Sequence, residues 1–466
     1  MKMEEQPCTT PFFFCGLDRI EDSYAFDLVQ ELCKRGLDLA LKDNDGMNAF
    51  HHAIPNYNMA LFIHELNGDL VKQRLNNGYT SLHLAIKFEE FYNMKKDNIL
   101  PWLLEQCEND LNVRNNEGET PLLLACKKRI WIMAKTLLDK SADIHAKDSN
   151  GRTALHFAAN RHRTINAFDF VQELLKRGAD LSLRDNDGKN AFHHAIENYD
   201  VALFIHELNG DLVKQRLNNG DTSLHLAIKL NRYWKENILI WLVEQCENDL
   251  NVKNNEGETP LLLACKKEEW SIAKILLKKT VDINARDKNG RTALHYAVKV
   301  EGYDGLKNSN AFDLVQELCK RGADLALTDN DGMNAFHHAI TNSNMALFIH
   351  ELNGDLVKQR LNNGDTSLHL AIKLHARFII QHFLIELVEQ GDVDLNATNA
   401  MNETLLILAC KEKLWKSKFF ELLMSKNVDV NIRDNEGKCA RDYIDESFPT
   451  HLLRRFDELE EASPSK

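Results

Sequence analysis

The sequence predicts an all-α repeat fold, a solenoid of short helix pairs stacked side by side, on three observations. The stretch DNDGMNAFHHAI from Asp43 returns as DNDGKNAFHHAI from Asp185 and, letter for letter, as DNDGMNAFHHAI from Asp329. The stretches Ala202–Ile228 and Ala346–Ile372 are identical, and Ala60–Ile86 departs from both only at Tyr79. Within these blocks a smaller word recurs, a glycine-closed turn followed by T-x-L-H-x-A, as at Gly78–Ala85 and Gly151–Ala158. Its turn positions fall at 46, 78, 118, 151, 188, 220, 257, 290, 332, 364, 402 and 437. Self-similarity at a period of about 20 to 50 residues marks units that cannot bury an apolar face alone and must stack.

The word resembles the ankyrin repeat, a β-turn followed by two antiparallel helices that opens T-P-L-H-x-A. The likeness is closest at Thr120–Ala125, Thr153–Ala158 and Thr292–Ala297, and in the closing phrases Gly178–Leu181 and Val281–Ala285. It covers roughly Cys8 to Leu453. Asn48, Asn190 and Asn334 stand where the family has Thr, Leu123, Leu262 and Ile407 occupy the His slot, and Asn402 replaces a turn glycine. The resemblance implies an ankyrin solenoid of β-turn plus helix-turn-helix units coiled into a curved superhelical rod. About thirteen repeats are expected, in three near-identical four-repeat blocks.

Residues 1–8 read as a polar lead, 9–447 as the solenoid, and 448–466 as a carboxy-terminal cap with an acidic tail. Thr10–Cys15 is a degenerate opening word, and Phe26–Leu32 a second helix stopped by Gly36. Four kinds of unit then cycle, opening at Asn48, Thr80, Thr120 and Thr153. The copies differ most at four insertions, Phe88 to Asn98, Leu230 to Asn237, Val300 to Asn310 and Leu374 to His382, expected to be loops or extra helical turn. The last unit opens at Lys438.

Composition excludes several function classes. A net charge of −13 argues against a general nucleic-acid binder, which needs a clustered basic surface. No apolar run is long enough for a membrane span, and no signal peptide is read, so a cytoplasmic protein is expected. The ten cysteines include no C-x-x-C, and Cys126, Cys265 and Cys410 share one helix position, which reads as buried reduced thiols.

No phosphate-cradling glycine motif, nucleophile elbow or kinase signature occurs, so no enzyme is expected. The doublets His51-His52, His193-His194 and His337-His338 do not suit a metal, because adjacent helix residues face different ways. The H-E starts at His64, His206 and His350 end in Gly where H-E-x-x-H needs its second His. Trp131, Trp270 and Trp415 are expected in the core of the second helices. No cofactor and no metal are called for.

The resemblance implies ligand contacts at turn tips and at the positions just after the first helix. Those positions hold Lys87, Lys127, Lys128, Lys229, Lys266, Lys267, Lys299, Lys373 and Lys411, with Met47, Tyr79, Lys189, Asp221, Met333 and Asp365 at the tips. A row of lysines in an acidic chain would attract acidic segments of other proteins, although helix-end lysines also suit the dipole with no ligand at all. The family further implies hydroxylation at Asn112, Asn251, Asn284, Asn396 and Asn431, slots where an asparagine also serves as a turn bridge. The expectation is therefore a monomeric, non-catalytic scaffold or adaptor binding proteins through a concave groove. The alternative is a substrate receptor or effector that docks to a larger assembly, such as a ubiquitin ligase, through Phe448 to Glu461.

Overall fold

The computed structural model describes residues 22–92, 99–160, 167–230, 235–299, 305–374, 385–389 and 393–462. The polar lead, the Thr10–Cys15 word and the last four residues lie outside these, as do parts of the insertions. All regular structure among the described residues is helical. The chain divides into two compact units, Met1–Asn219 and Gly220–Lys466.

In the first unit the pattern is clearest at Asp43. Its carboxylate accepts from the amides of Asp45 and Met47 at 2.9 and 2.8 Å, folding the chain into a tight turn. Gly46 closes that turn at φ +84°, where a Cβ would meet Asn76 Oδ1 at 2.8 Å. Only a residue without a side chain fits so close an approach. Successive tips are then tied by backbone bonds, Asn76 N–H to Asp45 O at 3.0 Å and Asn116 N–H to Asn77 O at 2.9 Å.

Each turn leads into a short first helix that is capped by the residue in the Thr slot. The Asn48 side chain accepts from the His51 amide at 3.0 Å, as a Thr would, and its Nδ2 also donates to Leu70 O at 3.1 Å. That second bond ties helix Ala49–Ala53 to the 3-10 turn Gly68–Lys72 and gives a physical reason for asparagine there. Asn190 makes the same pair of bonds. Second helices such as Tyr57–Leu66, Trp131–Asp139 and Ala167–Lys176 return antiparallel. Phe50, Leu82, Leu122, Leu155, Phe170 and Phe192 are all buried between the layers.

The second unit repeats the scheme. First helices Pro260–Lys266, Ala293–Val298, Ala335–Ala339, Ser367–Lys373 and Leu405–Lys411 alternate with second helices that include Trp270–Leu277, Gly305–Lys320 and Ser343–Leu352. Tips are joined by Lys288 N–H to Glu256 O at 3.1 Å and Asn330 N–H to Asn289 O at 2.9 Å. Asn402 takes the glycine role at φ +59°, a conformation asparagine tolerates better than most residues.

Three local expectations change. The first helix of the second repeat runs on as Ser81–Tyr92, so Lys87 lies well within a helix, and Lys127, Lys128, Lys229, Lys266, Lys373 and Lys411 fall in the last turn of their first helices and not after them. Trp415 is buried but sits in the 3-10 turn Leu414–Lys416, because Ser417 caps the second helix only from Lys418. The last unit has a single 3-10 turn, Ala440–Tyr443, in place of its first helix, followed by helix Thr450–Ala462. The insertion at 305–310 is extra helical turn, since Gly305–Lys320 begins within it.

Candidate protein-binding surface

The row of lysines is built onto a row of buried acids. Eight residues upstream of Lys127, Lys229, Lys266, Lys373 and Lys411, just before the capping Thr, stands a carboxylate. Lys127 Nζ reaches Glu119 at 2.6 Å and also Glu117 at 2.8 Å. Lys229 reaches Asp221 at 2.6 Å, Lys266 reaches Glu258 at 2.5 Å, Lys373 reaches Asp365 at 2.8 Å and Lys411 reaches Glu403 at 2.7 Å. All five upstream acids are buried, while the lysines remain partly exposed.

An asparagine braces the acids from below. Asn254 Nδ2 donates to Asp221 at 2.9 Å and to Glu258 at 3.0 Å, linking two consecutive repeats. Asn399 does the same between Asp365 and Glu403, at 3.0 and 2.8 Å. Burial pushes the Glu258 and Glu403 carboxyls up, but the bonds from lysine and asparagine outweigh it and hold both below their ordinary value. For Lys127 and Lys411 burial opposes the charge, and the acid partners again prevail and raise it. Glu119, Glu258, Glu403 and the bracing asparagines were not singled out from the sequence, and Asp221 and Asp365 were expected only as tip contacts, although an acid eight residues before five of the lysines was the available signal.

The pairing changes what the stripe presents. Asp221 and Asp365, expected at exposed tips, are each 1% exposed and serve to seat a lysine. Met47, Tyr79, Lys189 and Met333 are half-buried at their turns, with Lys189 Nζ 3.1 Å from Asp187. Lys128 is half-buried at the end of its helix, and Lys267 and Lys299 are exposed at C-caps. Lys87 is exposed and its ammonium lies 5.9 Å from the centre of the Tyr79 ring.

The asparagines of the closing phrases bridge turns. Asn112 Oδ1 accepts from the Asp143 amide at 2.8 Å, Asn251 from Asp282 at 2.6 Å, Asn284 from Asp324 at 2.9 Å and Asn396 from Asp429 at 2.8 Å. Asn431 is exposed one repeat further on.

The first-slot histidines His51, His83, His156, His193, His225, His295 and His369 use both ring nitrogens within the protein. His83 Nδ1 faces Thr80, while Nε2 donates to Glu119 O at 3.0 Å in the next repeat. His156, His225, His295 and His369 repeat this with Leu183, Glu258, Met333 and Glu403. Burial holds His51, His83, His156, His193, His295 and His337 at about 4. The second His of each doublet turns elsewhere, His52 to Asp43 at 2.9 Å and His194 to Asp185 at 2.8 Å. Among the described residues no three His, Cys, Asp or Glu converge as metal ligands.

Comparison with known proteins meets this geometry directly. Patterns described as "Ankyrin repeats (3 copies)" match residues 91–185, 163–245 and 234–308, and "Ankyrin repeat" matches 289–330. The chain belongs to the ankyrin-repeat family. Putative ankyrin repeat protein L371 of Acanthamoeba polyphaga mimivirus is 24% identical over 83% of the chain and 52% of its own length. The nuclear factor NF-kappa-B p105 subunit of Gallus gallus is 26% identical over 50% of the chain and 24% of its own length. The human B-cell lymphoma 3 protein is 26% identical over 44% of the chain and 51% of its own length. The chain thus spans about half the length, or less, of these relatives. A solved structure of a predatory endopeptidase from Bdellovibrio bacteriovorus with its immunity protein matches 42% of the chain and 97% of its own chain, at 29% identity and a TM-score of 0.36. Ankyrin repeats generally mediate protein–protein interaction, and the family is generally non-catalytic. Among the described residues no helix is long and apolar enough to cross a membrane.

Proposed function

We propose that this ankyrin array is a monomeric, non-catalytic scaffold or adaptor that recruits other proteins through the face formed by its turn tips and first-helix ends. The observation that carries the reading is the lysine–carboxylate series. It holds long side chains in fixed positions along that face, which lowers the ordering cost of binding. Thiols at Cys126, Cys265 and Cys410 are buried and pushed up by that burial, which suits a reducing compartment and supports a cytoplasmic location. The docking alternative through the carboxy-terminal segment has less behind it. Phe448, Leu452, Phe456 and Leu459 are buried, leaving that helix mainly an acidic outer side.

The test is affinity capture from native lysate with the full chain beside a Lys189→Glu, Met333→Glu variant. Neither residue belongs to a buried lysine–acid pair, and circular dichroism checks that both chains fold. Partners lost only with the variant support recruitment through this face. Partners kept by both chains move recognition elsewhere, and a chain that captures nothing above background sinks the scaffold reading.

A further inference from the structure

Across three otherwise identical stretches the lysine–acid pairing breaks at the single position where they differ. Asp221 and Asp365 each seat the lysine eight residues on, and the same place in the first copy holds Tyr79. Lys87 therefore lacks the carboxylate that Lys229 and Lys373 have. The acids whose charge acts on the Tyr79 phenol, Glu117 and Glu119, are already bonded to Lys127 at 2.8 and 2.6 Å. Asn115, whose counterparts Asn254 and Asn399 reach the preceding aspartate, donates to Glu119 at 3.0 Å and lies beside the Tyr79 phenol. The phenol ring packs 5.3 Å from His83, so its position is set from behind. What remains at the surface is a cation beside an aromatic ring, with Met47 on the neighbouring tip.

We propose that Lys87 and Tyr79 form a docking point for an acidic side chain of a partner protein, which supplies from outside the carboxylate that the other copies carry themselves. The inference rests on the scaffold reading and narrows its partner. The chain's own copies provide the template: a lysine at this place donates to an aspartate at 2.6 to 2.8 Å. That template favours a carboxylate over a phosphate. Tyr79 offers a ring face and a phenol donor to the incoming group, and Met47 favours an apolar residue next to the acid.

Tyr79→Asp is the decisive variant, because it restores an arrangement that the same chain already folds at Asp365–Lys373. A random 12-residue peptide display library is selected on the full wild-type chain, and the winners are measured against Tyr79→Asp and Lys87→Ala. The expected result is that winners carry Asp or Glu beside an apolar residue. Their affinity should fall about three- to tenfold in either variant, and by a like factor when the acid is changed to its amide. Winners without an acid, winners that bind both variants unchanged, or no enrichment over the Tyr79→Asp chain each overturn the proposal. The scaffold reading is decided independently by the capture experiment, which leaves Tyr79 and Lys87 intact.

Discussion

Lys229 closes over Asp221 at 2.6 Å, back along the length of helix Ser223–Lys229, with the aspartate 1% exposed and the lysine side chain 33% exposed. A pair so placed is asymmetric. Losing the lysine strands a buried anion, whereas losing both charges strands nothing. We expect Lys229→Ala to destabilise its repeat by about 1–3 kcal/mol, less than a fully buried pair because the lysine is partly solvated. The double change Asp221→Asn with Lys229→Met should cost less than the single one. Hydrogen exchange of the amides around helix Ser223–Lys229 in the full chain measures both, and equal losses would remove the pair from the account of stability.

The histidine network makes the array acid-sensitive above the range where carboxylates titrate. Burial holds six first-slot histidines at about 4, below their unfolded value of about 6.5, so the unfolded chain binds more protons between these limits. Stability therefore falls as pH drops from about 6.5 toward 4, and each histidine takes away about 1.4 kcal/mol for every full pH step between those two values. Thermal melts at pH 7, 6 and 5 should show a falling midpoint before Asp or Glu side chains protonate. A midpoint constant from pH 7 to 5 would contradict the neutral, buried state of these rings.

Much of this was legible in the sequence because each repeat states its rule locally. Gly46 and its counterparts punctuate the turns, Thr and Asn cap the helices that follow, and the T-x-L-H word marks a histidine whose bonds are structural. The charge of the binding face was not legible in the same way. Lys229 and Asp221 are eight residues apart, one ending helix Ser223–Lys229 and the other lying just before its cap Thr222, so their pairing depends on how the preceding turn sets the aspartate beside the helix. The extension of Ser81–Tyr92 past Lys87 and the move of Trp415 into a 3-10 turn depend on where second helices start. In the third block that start is set by the Ser417 cap, which the other blocks lack.

Glycines at equivalent φ differ in what surrounds them, and substitution separates the two costs. Gly78 has φ +79°, and a Cβ there would lie 2.8 Å from Asn116 Oδ1 and 3.0 Å from its backbone nitrogen. Gly178 has φ +89° with nothing within 4 Å among the described residues. Gly178→Ala should cost about 1 kcal/mol of backbone strain alone. Gly78→Ala adds displacement of the neighbouring tip and should cost more, with faster exchange at the Asn116 amide that bonds Asn77 O at 2.9 Å. Equal costs at both sites would mean that the tips are not held in contact.

The end of the second unit is closed by aromatic packing, and one substitution tests whether that closure supports the repeats. Phe456 is wholly buried and its ring centre lies 5.8 Å from Phe448, which in turn lies 5.5 Å from Trp415 and 5.9 Å from Phe420. Arg441 holds the outer side of the same helix through Asp457 at 2.8 Å and Glu460 at 3.0 Å. This helix covers the side of the preceding repeat on which a neighbouring unit would stack. Phe456→Ala should cost about 3–5 kcal/mol locally. Because coupling in a repeat array runs between nearest neighbours, faster exchange should appear first in helices Lys418–Ser425 and Leu405–Lys411. Amides of the unit Met1–Asn219 should stay unchanged. Loss of protection spread evenly along the chain would show instead that the array unfolds as one body, and that the helix acts as more than a local cap.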